Sequence, residues 1–413
     1  MAKVFHNALQ SIRQNKLRSV LAGFGIAWGI FLLVIFLGIG NGFKDGIMSL
    51  FSAYAQKSLF VYGGQTSVST PQTNEDTRIL FDNGIISDIR KRYPSVISCS
   101  PEMSLSGVSI IRDDETVISS ISGVETDYFN IKILKVKEGR SITRSDIHNG
   151  RNVAVIGEGI KQTLFGKTDA IGKNINADGV LFKVVGILAS DDLFSMQERN
   201  AIYIPSTSFI ANFDSSGELA SFCLSLSESA SSSEIENDLK GYLAFKYGFD
   251  PHDDSALLIS NIETQTQAFE SLFHGLEILI WIIGICLLLS GIVGVCNVML
   301  IIVKERTNEI GIRKAVGATS GSIISMIMAE SVTITVLAGI VGVVLGSSIV
   351  LLGDKLILPM LDSELIGSLE INIPAVIAAF VVLSLCGILA GLFPALKASQ
   401  ITPVDAIRYE NRD

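Results

Sequence analysis

NVMLIIVKERTNEIGIRKAVGAT, residues 297–319, is the stretch where an apolar run ends abruptly in a short, densely charged segment. Lys304, Glu305, Arg306, Glu309, Arg313 and Lys314 alternate there with Ile310, Ile312 and Val316. The preceding run is long enough for a membrane helix, and the charged part has helical spacing. A membrane helix that emerges into a small charged helix is shaped to be gripped by another protein.

Working outward, four runs are long enough to cross a bilayer core of ~30 Å, which takes ~20 apolar residues. They are 19–40, 278–303, 323–352 and 374–396, and none contains Lys, Arg or Asp. Glu330 is their only acid. Between the first and second runs lies a long stretch with no spanning segment, 44–270. This pattern predicts an α-helical membrane protein with four transmembrane helices and a large α+β domain outside the bilayer. The first run is longer than the ~7–15-residue core of a cleaved signal peptide and has no small-x-small cleavage pattern after it, so it reads as an uncleaved anchor.

Lys and Arg near the span ends set the orientation. Lys3, Arg13, Lys16 and Arg18 precede the first run with no acid among them, and residues 304–322 add four more basic side chains. The loop 353–373 holds only Lys355, against Asp354, Asp362, Glu364 and Glu370. Both termini and 304–322 are therefore expected in the cytoplasm, with 44–270 exported: a multi-pass bacterial inner-membrane protein whose large domain is periplasmic. That exported part contains 20 basic and 30 acidic residues, a net of −10, while the whole chain is −9, leaving about +1 elsewhere. An acidic exported domain argues against a nucleic-acid partner.

Residues 1–18 place Val4, Phe5, Ala8, Leu9, Ile12 and Leu17 near helical spacing, which predicts an amphipathic helix on lipid at the inner surface. In the exported region, 58–62 reads as a strand, 66–77 as a mobile polar loop, 82–92 as a helix, and 96–100, 108–112 and 117–121 as strands. Residues 124–205 read as a compact, mostly β unit. A strand, a helix and a strand follow from Leu219 to Asn261. The exported region thus looks like one αβ domain, 45–123 with 206–270, carrying an inserted β unit, 124–205. From Glu263 a helix is expected to run on into the second span.

The sequence contains no GxxxxGK[ST] phosphate loop and no Cys/His cluster with metal-ligand spacing, so no catalytic, cofactor-binding or metal site is assigned. The histidines, His6, His148, His252 and His274, are scattered, and His252-Asp253-Asp254 reads as a solvated turn. Cys99 and Cys223 fall in the exported region, either bridged or as two buried thiols. In the spans, Gly291, Gly294, Gly339, Gly342 and Gly346 suggest close helix packing, and Asn297 a hydrogen bond to a neighbouring helix. Glu330 is positioned to pair with a basic group near the inner surface. Four spans with one Asn and one Glu are too poor in polar groups to line a solute path.

The block 291–319, GIVGVCNVMLIIVKERTNEIGIRKAVGAT, closely resembles the FtsX-like, MacB-type ABC transporter permeases. NKLRSVLAGFGIAWGI near the start resembles the same family, as does GILAGLFPALKASQITPVDAIRYE near the end. GVETDYFNIKILKVKEGRSIT is similar to its periplasmic core domain. The resemblance implies a dimer, either of identical chains or of paralogous permeases. It implies a cytoplasmic ABC ATPase that carries ATP and Mg²⁺ and docks on the short helix after the second span, here Glu305 to Ala318. The residues expected to couple are Glu305, Arg306, Glu309, Ile310, Ile312, Arg313, Lys314 and Val316, with the apolar ones carrying the docking. The exported region then divides into "porter" (45–123 with 206–270) and "sabre" (124–205) parts. No fused ATPase accompanies the chain, so a separate subunit is expected, and the chain itself is expected not to be an enzyme.

The implied mechanism is mechanotransmission: ATP-driven closure of the cytoplasmic subunits moves the exported domains. Three readings follow from the resemblance. The first is MacB-like export of periplasmic drugs, peptides or toxins through an adaptor and an outer-membrane duct. The others are LolC/LolE-like release of lipoproteins and FtsX-like regulation of a cell-wall hydrolase. The inserted β unit favours the first.

Overall fold

A computed structural model describes residues 16–189, 196–214, 217–357 and 373–402. The amphipathic helix expected at 1–18 and most of the loop 353–373 and of the tail 397–413 lie outside the described residues. The chain divides into two units, Met1–Ile47 with Ser271–Asp413, and Met48–Glu270.

The first unit is built on four apolar helices. The first runs Lys16–Ser52, the second Ile262–Glu305, the third Ser320–Leu352 with a π-helical turn Gly353–Ile357 after it, and the fourth Ile373–Ser399. All four are long and apolar enough to cross a membrane. The second has 44 residues, and at 1.5 Å each it spans about 66 Å, roughly twice a hydrocarbon core. The first helix continues past the apolar run through Gly40-Asn41-Gly42, a sequence with poor helix propensity. Packing offsets this: Phe43 meets Phe273 of the second helix at 6.0 Å between ring centroids.

Small residues let these helices touch where lipid supplies no hydrophobic drive for association. A methyl group on Gly291 would lie 2.7 Å from Ile26 Cγ1 and 2.9 Å from the Ile26 backbone nitrogen. One on Gly342 would lie 2.5 Å from the Ala27 carbonyl oxygen, and one on Gly346 3.0 Å from Val34 Cβ. Gly339 is closed off by Leu383 of the fourth helix, whose Cδ2 is 2.0 Å from that position. Gly294 differs, since nothing among the described residues comes within 4 Å of the equivalent point. Asn297, one turn on, is also exposed, and among the described residues it makes no side-chain hydrogen bond to a neighbouring helix.

The second unit is organised by a ten-stranded sheet: β1 (Ser58–Gly63), β2 (Val96–Arg112), β3 (Glu115–Val124), β4 (Val136–Gly139), β5 (Val153–Ile156), β6 (Asn174–Ala177), β7 (Val180–Leu188), β8 (Ala201–Pro205), β9 (Ser221–Leu226) and β10 (Leu257–Asn261). The main path is β10-β1-β9-β2-β3-β8-β5-β7-β4, and β6 pairs with β2 and β7. Strands β4 to β8 come from the segment read as an inserted β unit. They extend the same sheet through the parallel β3–β8 pairing, Ser120 to Val124 against Ala201 to Pro205. The two short strands expected at 96–100 and 108–112 are one strand. Gly107 takes φ +78° and the register shifts between Leu105 and Val108, so a bulge lets the strand continue across the gap between them.

Paired strands alternate their side chains between two cores. Cys99 lies opposite Leu224 in the β2–β9 ladder and packs with it in the larger core, while Cys223 points to the other face among Phe60, Tyr128 and Tyr203. The two thiols are on opposite faces of the sheet, and both are free.

The polar stretch 66–77 is held, in contrast to the mobile loop its composition suggests. Asp253 is 4% exposed. Its carboxylate accepts from Ser67 N at 2.6 Å, Ser67 Oγ at 2.8 Å, Val68 N at 3.3 Å and Ser255 N at 3.0 Å. Thr70 and Thr73 donate to the Gly248 carbonyl. The turn read as solvated therefore has an exposed His252 beside a buried anchor.

Candidate functional site: the foot below the second span

The second helix ends at Glu305 because Arg306 leaves helical geometry, with φ −95° and ψ 14°. A short helix, Thr307–Ala315, follows at once. Lys304 and Glu305 thus belong to the spanning helix, and the foot is shorter than the expected Glu305 to Ala318. It closes on Val316 and on Gly317, whose φ of +101° suits only glycine without strain. Gly317 N donates to the Lys314 carbonyl and Ala318 N to the Arg313 carbonyl, both at 3.0 Å. Thr319 then caps the third helix, its Oγ1 accepting from Ser322 N at 3.3 Å.

Side chains bind the foot to the membrane unit. Arg306 Nη1 donates to Glu330 Oε2 at 3.1 Å, and the Glu330 side chain is only 5% exposed. The basic partner that Glu330 called for is therefore Arg306, two helices away in sequence but adjacent in space. Arg306 Nε also lies 3.5 Å from Glu309 Oε2. Arg313 Nη2 donates to Glu309 Oε1 at 2.7 Å, and Lys314 Nζ to the Ser399 carbonyl at the end of the fourth helix at 2.5 Å. Thr307 Oγ1 donates to the Lys304 carbonyl at 2.7 Å.

Ile310 was expected on the docking face, and the structure turns it inward. It is 1% exposed and packs with Ile302, Val303, Ile323 and Ile327. The helix is amphipathic, and one position in 3.6 must face the spans to bury its apolar side. The apolar groups left outward are Ile312, 58% exposed, and Val316, 85% exposed. Glu309 and Arg313 of the same short helix are also exposed. The foot is thus a small plate with two bare aliphatic side chains, a charged rim and a rigid attachment. Bare aliphatic groups with charged neighbours on a tied helix are suited to binding.

The sequence did not show that Lys314 ties to the fourth helix or that Arg306 reaches the third. Those contacts join residues 85 and 24 positions apart, beyond any local pattern.

Comparison with known proteins matches residues 19–242 to the MacB-like periplasmic core domain and 281–403 to the FtsX-like permease C-terminal region. "Macrolide export ATP-binding/permease protein MacB" of Mannheimia succiniciproducens is 26% identical over 410 residues, covering 99% of this chain and 61% of that protein. The chain therefore spans about three-fifths of the length of such relatives. "Uncharacterized ABC transporter permease YvrN" of Bacillus subtilis is 29% identical over 414 residues, 98% of each chain. Among solved structures, the periplasmic region of MacB from Actinobacillus actinomycetemcomitans aligns with a TM-score of 0.44 at 19% identity, over 53% of this chain and 95% of that one.

Proposed function

The chain belongs to the MacB-type, FtsX-like ABC permease family, and from that premise we propose that it couples ATP hydrolysis on a separate cytoplasmic subunit to movement of its exported domain. The observation that carries this reading is the foot: a rigidly tied helix with Ile312 and Val316 bare at its surface. Exposed aliphatic side chains within a charged rim are how a small interface anchors itself and fixes register.

The lever is the helix Ile262–Glu305, which contains residues of both units and leads directly into the foot. Spans poor in polar groups leave no solute path, so the work is mechanical, done on the exported side. In this reading both termini and the foot are cytoplasmic. The chain pairs with a second permease copy or a paralogue, and the ATPase supplies ATP and Mg²⁺. By analogy with the macrolide exporters, the cargo is a periplasmic substrate passed to an adaptor and an outer-membrane duct.

Arg313 and Lys314 are unsuited to a clean test, because both also hold the foot. Ile312→Ser with Val316→Ser removes only outward groups. Co-expression with the cognate ATPase should then give membrane-inserted permease that no longer co-purifies with it. Undiminished co-purification would refute the docking assignment.

A further inference from the structure

The exported unit contains a polar cavity of about 450 Å³, walled by β2, β3, β8 and the short helix Tyr128–Ile131. Glu102 of β2 forms part of its wall. One carboxylate oxygen, Oε1, accepts from Tyr128 Oη at 2.5 Å and from Lys132 Nζ at 3.3 Å. The other, Oε2, is buried and has no hydrogen-bond partner among the described residues.

A buried carboxylate oxygen without a donor is costly. Here Tyr128 and Lys132, one helical turn apart, both converge on Oε1. Burial alone would lower the Lys132 pKa, but the Glu102 charge outweighs it and the net shift is upward. The ammonium therefore stays charged, and it also lies 5.1 Å from the Tyr128 ring centroid.

The remaining wall sets the ligand chemistry. Ser104, Ser120 and Ser122 bring hydroxyls, Asn200 an amide and Glu198 a second carboxylate. With Glu102, Glu198 and Lys132 the lining carries one excess negative charge, which disfavours an anion. The hydroxyl-rich wall offers little to a purely apolar guest. We propose that this cavity binds a small polyhydroxylated amine, of the amino-sugar or amino-alcohol class. Its ammonium answers the excess negative charge of the wall, a turn of the Glu102 carboxylate bringing the unpartnered Oε2 to it, and its hydroxyls meet the serine wall. The proposal is independent of the coupling foot and stands or falls without it.

The test uses the full chain in detergent and isothermal titration calorimetry with two matched probes, glucosamine and N-acetylglucosamine. The second keeps the ring hydroxyls and loses the cation. Glucosamine should bind saturably below about 10 mM, and N-acetylglucosamine at least about tenfold more weakly, as expected for one charge-assisted contact. Glu102→Gln should bring the two probes within about twofold of each other. Ser104→Leu fills the exposed mouth and leaves the Glu102–Lys132 pair in place; it should weaken glucosamine by about tenfold, and it carries the test if Glu102→Gln does not fold. Absence of glucosamine binding, equal binding of both probes, or unchanged binding in either folded variant would overturn the proposal.

Discussion

The contact between Arg306 and Glu330 lets the attachment of the foot be measured. Glu330 sits in the third span with its side chain 5% exposed, and Arg306, 29% exposed, reaches it at 3.1 Å. Arg306→Met takes the guanidinium from a buried carboxylate, a change that costs roughly 3–5 kcal/mol when a buried pair is broken. Partial exposure of Arg306 places the expected value near the lower end, about 3 kcal/mol, or roughly a hundredfold in the unfolding equilibrium. Glu330→Met should cost less, about 1 kcal/mol, because Arg306 keeps water access and the nearby Glu309. The double variant, Arg306→Met with Glu330→Met, removes both charges and should lie within about 1 kcal/mol of the parent, since an apolar replacement of a buried pair is often neutral. The assay is reversible SDS unfolding in mixed micelles, followed by circular dichroism, with all four proteins closing a double-mutant cycle. Additive single effects, or an Arg306→Met cost below about 0.5 kcal/mol, would refute the claim that this pair holds the foot to the span.

Five further outcomes are expected. Gly291→Val should destabilise the membrane unit by overpacking against Ile26, at about 1–3 kcal/mol. Gly294→Val, where the chain leaves open space, should leave the monomer unchanged, and any loss of oligomer on a native gel would show that a second chain packs there. Asp146 is buried at a helix start, where Arg140 Nη1 and Thr143 donate to it. Burial would raise its pKa, but these donors outweigh it and hold the carboxyl at about 2, against the usual 3.8. A depressed pKa stabilises the fold above the unfolded value. About 2 kcal/mol should therefore disappear as pH falls from about 4 towards 2, and Asp146→Asn should flatten that part of the pH–melting curve. Asp253→Ala should free the 66–77 loop, seen as new protease cleavage there, with a stability loss of about 2 kcal/mol. Burial raises the Cys99 thiol to about 12 and the Cys223 thiol well above its ordinary range. Neither should react with maleimide at neutral pH until the exported unit is unfolded, as peptide mass mapping would show.

How far the sequence can be read depended on distance along the chain. The four spans were legible because apolar runs bounded by charge are a local property, and lipid leaves helices as the structure open to such runs. The Glu309–Arg313 pair was legible for the same reason, since positions four apart on a helix must meet. Strands β1, β9 and β10 could be read from short apolar runs between turn residues. The long β2 could not, because a bulge at Gly107 and a turn share one composition. Asp253 was misread because its donors, Ser67 and Val68, lie far away in the chain, and a polar turn looks the same from its own residues whether it is solvated or pinned.

The sequence by itself determined the membrane class, the position of the charged foot and the alternation of strands and helices in the exported part. All of these follow from periodicity and composition within a few turns. Tertiary structure alone decided which face of the foot is outward. Burial of Ile310 against the spans leaves Ile312 and Val316 bare, a choice made by packing that helical spacing does not rank. It also decided that Arg306 is the partner of Glu330, that Cys99 and Cys223 lie on opposite faces of one sheet, and that Glu102, with one buried and unpartnered oxygen, lines a polar cavity. Each of these depends on which distant segments the fold brings together, and a linear pattern does not contain that information.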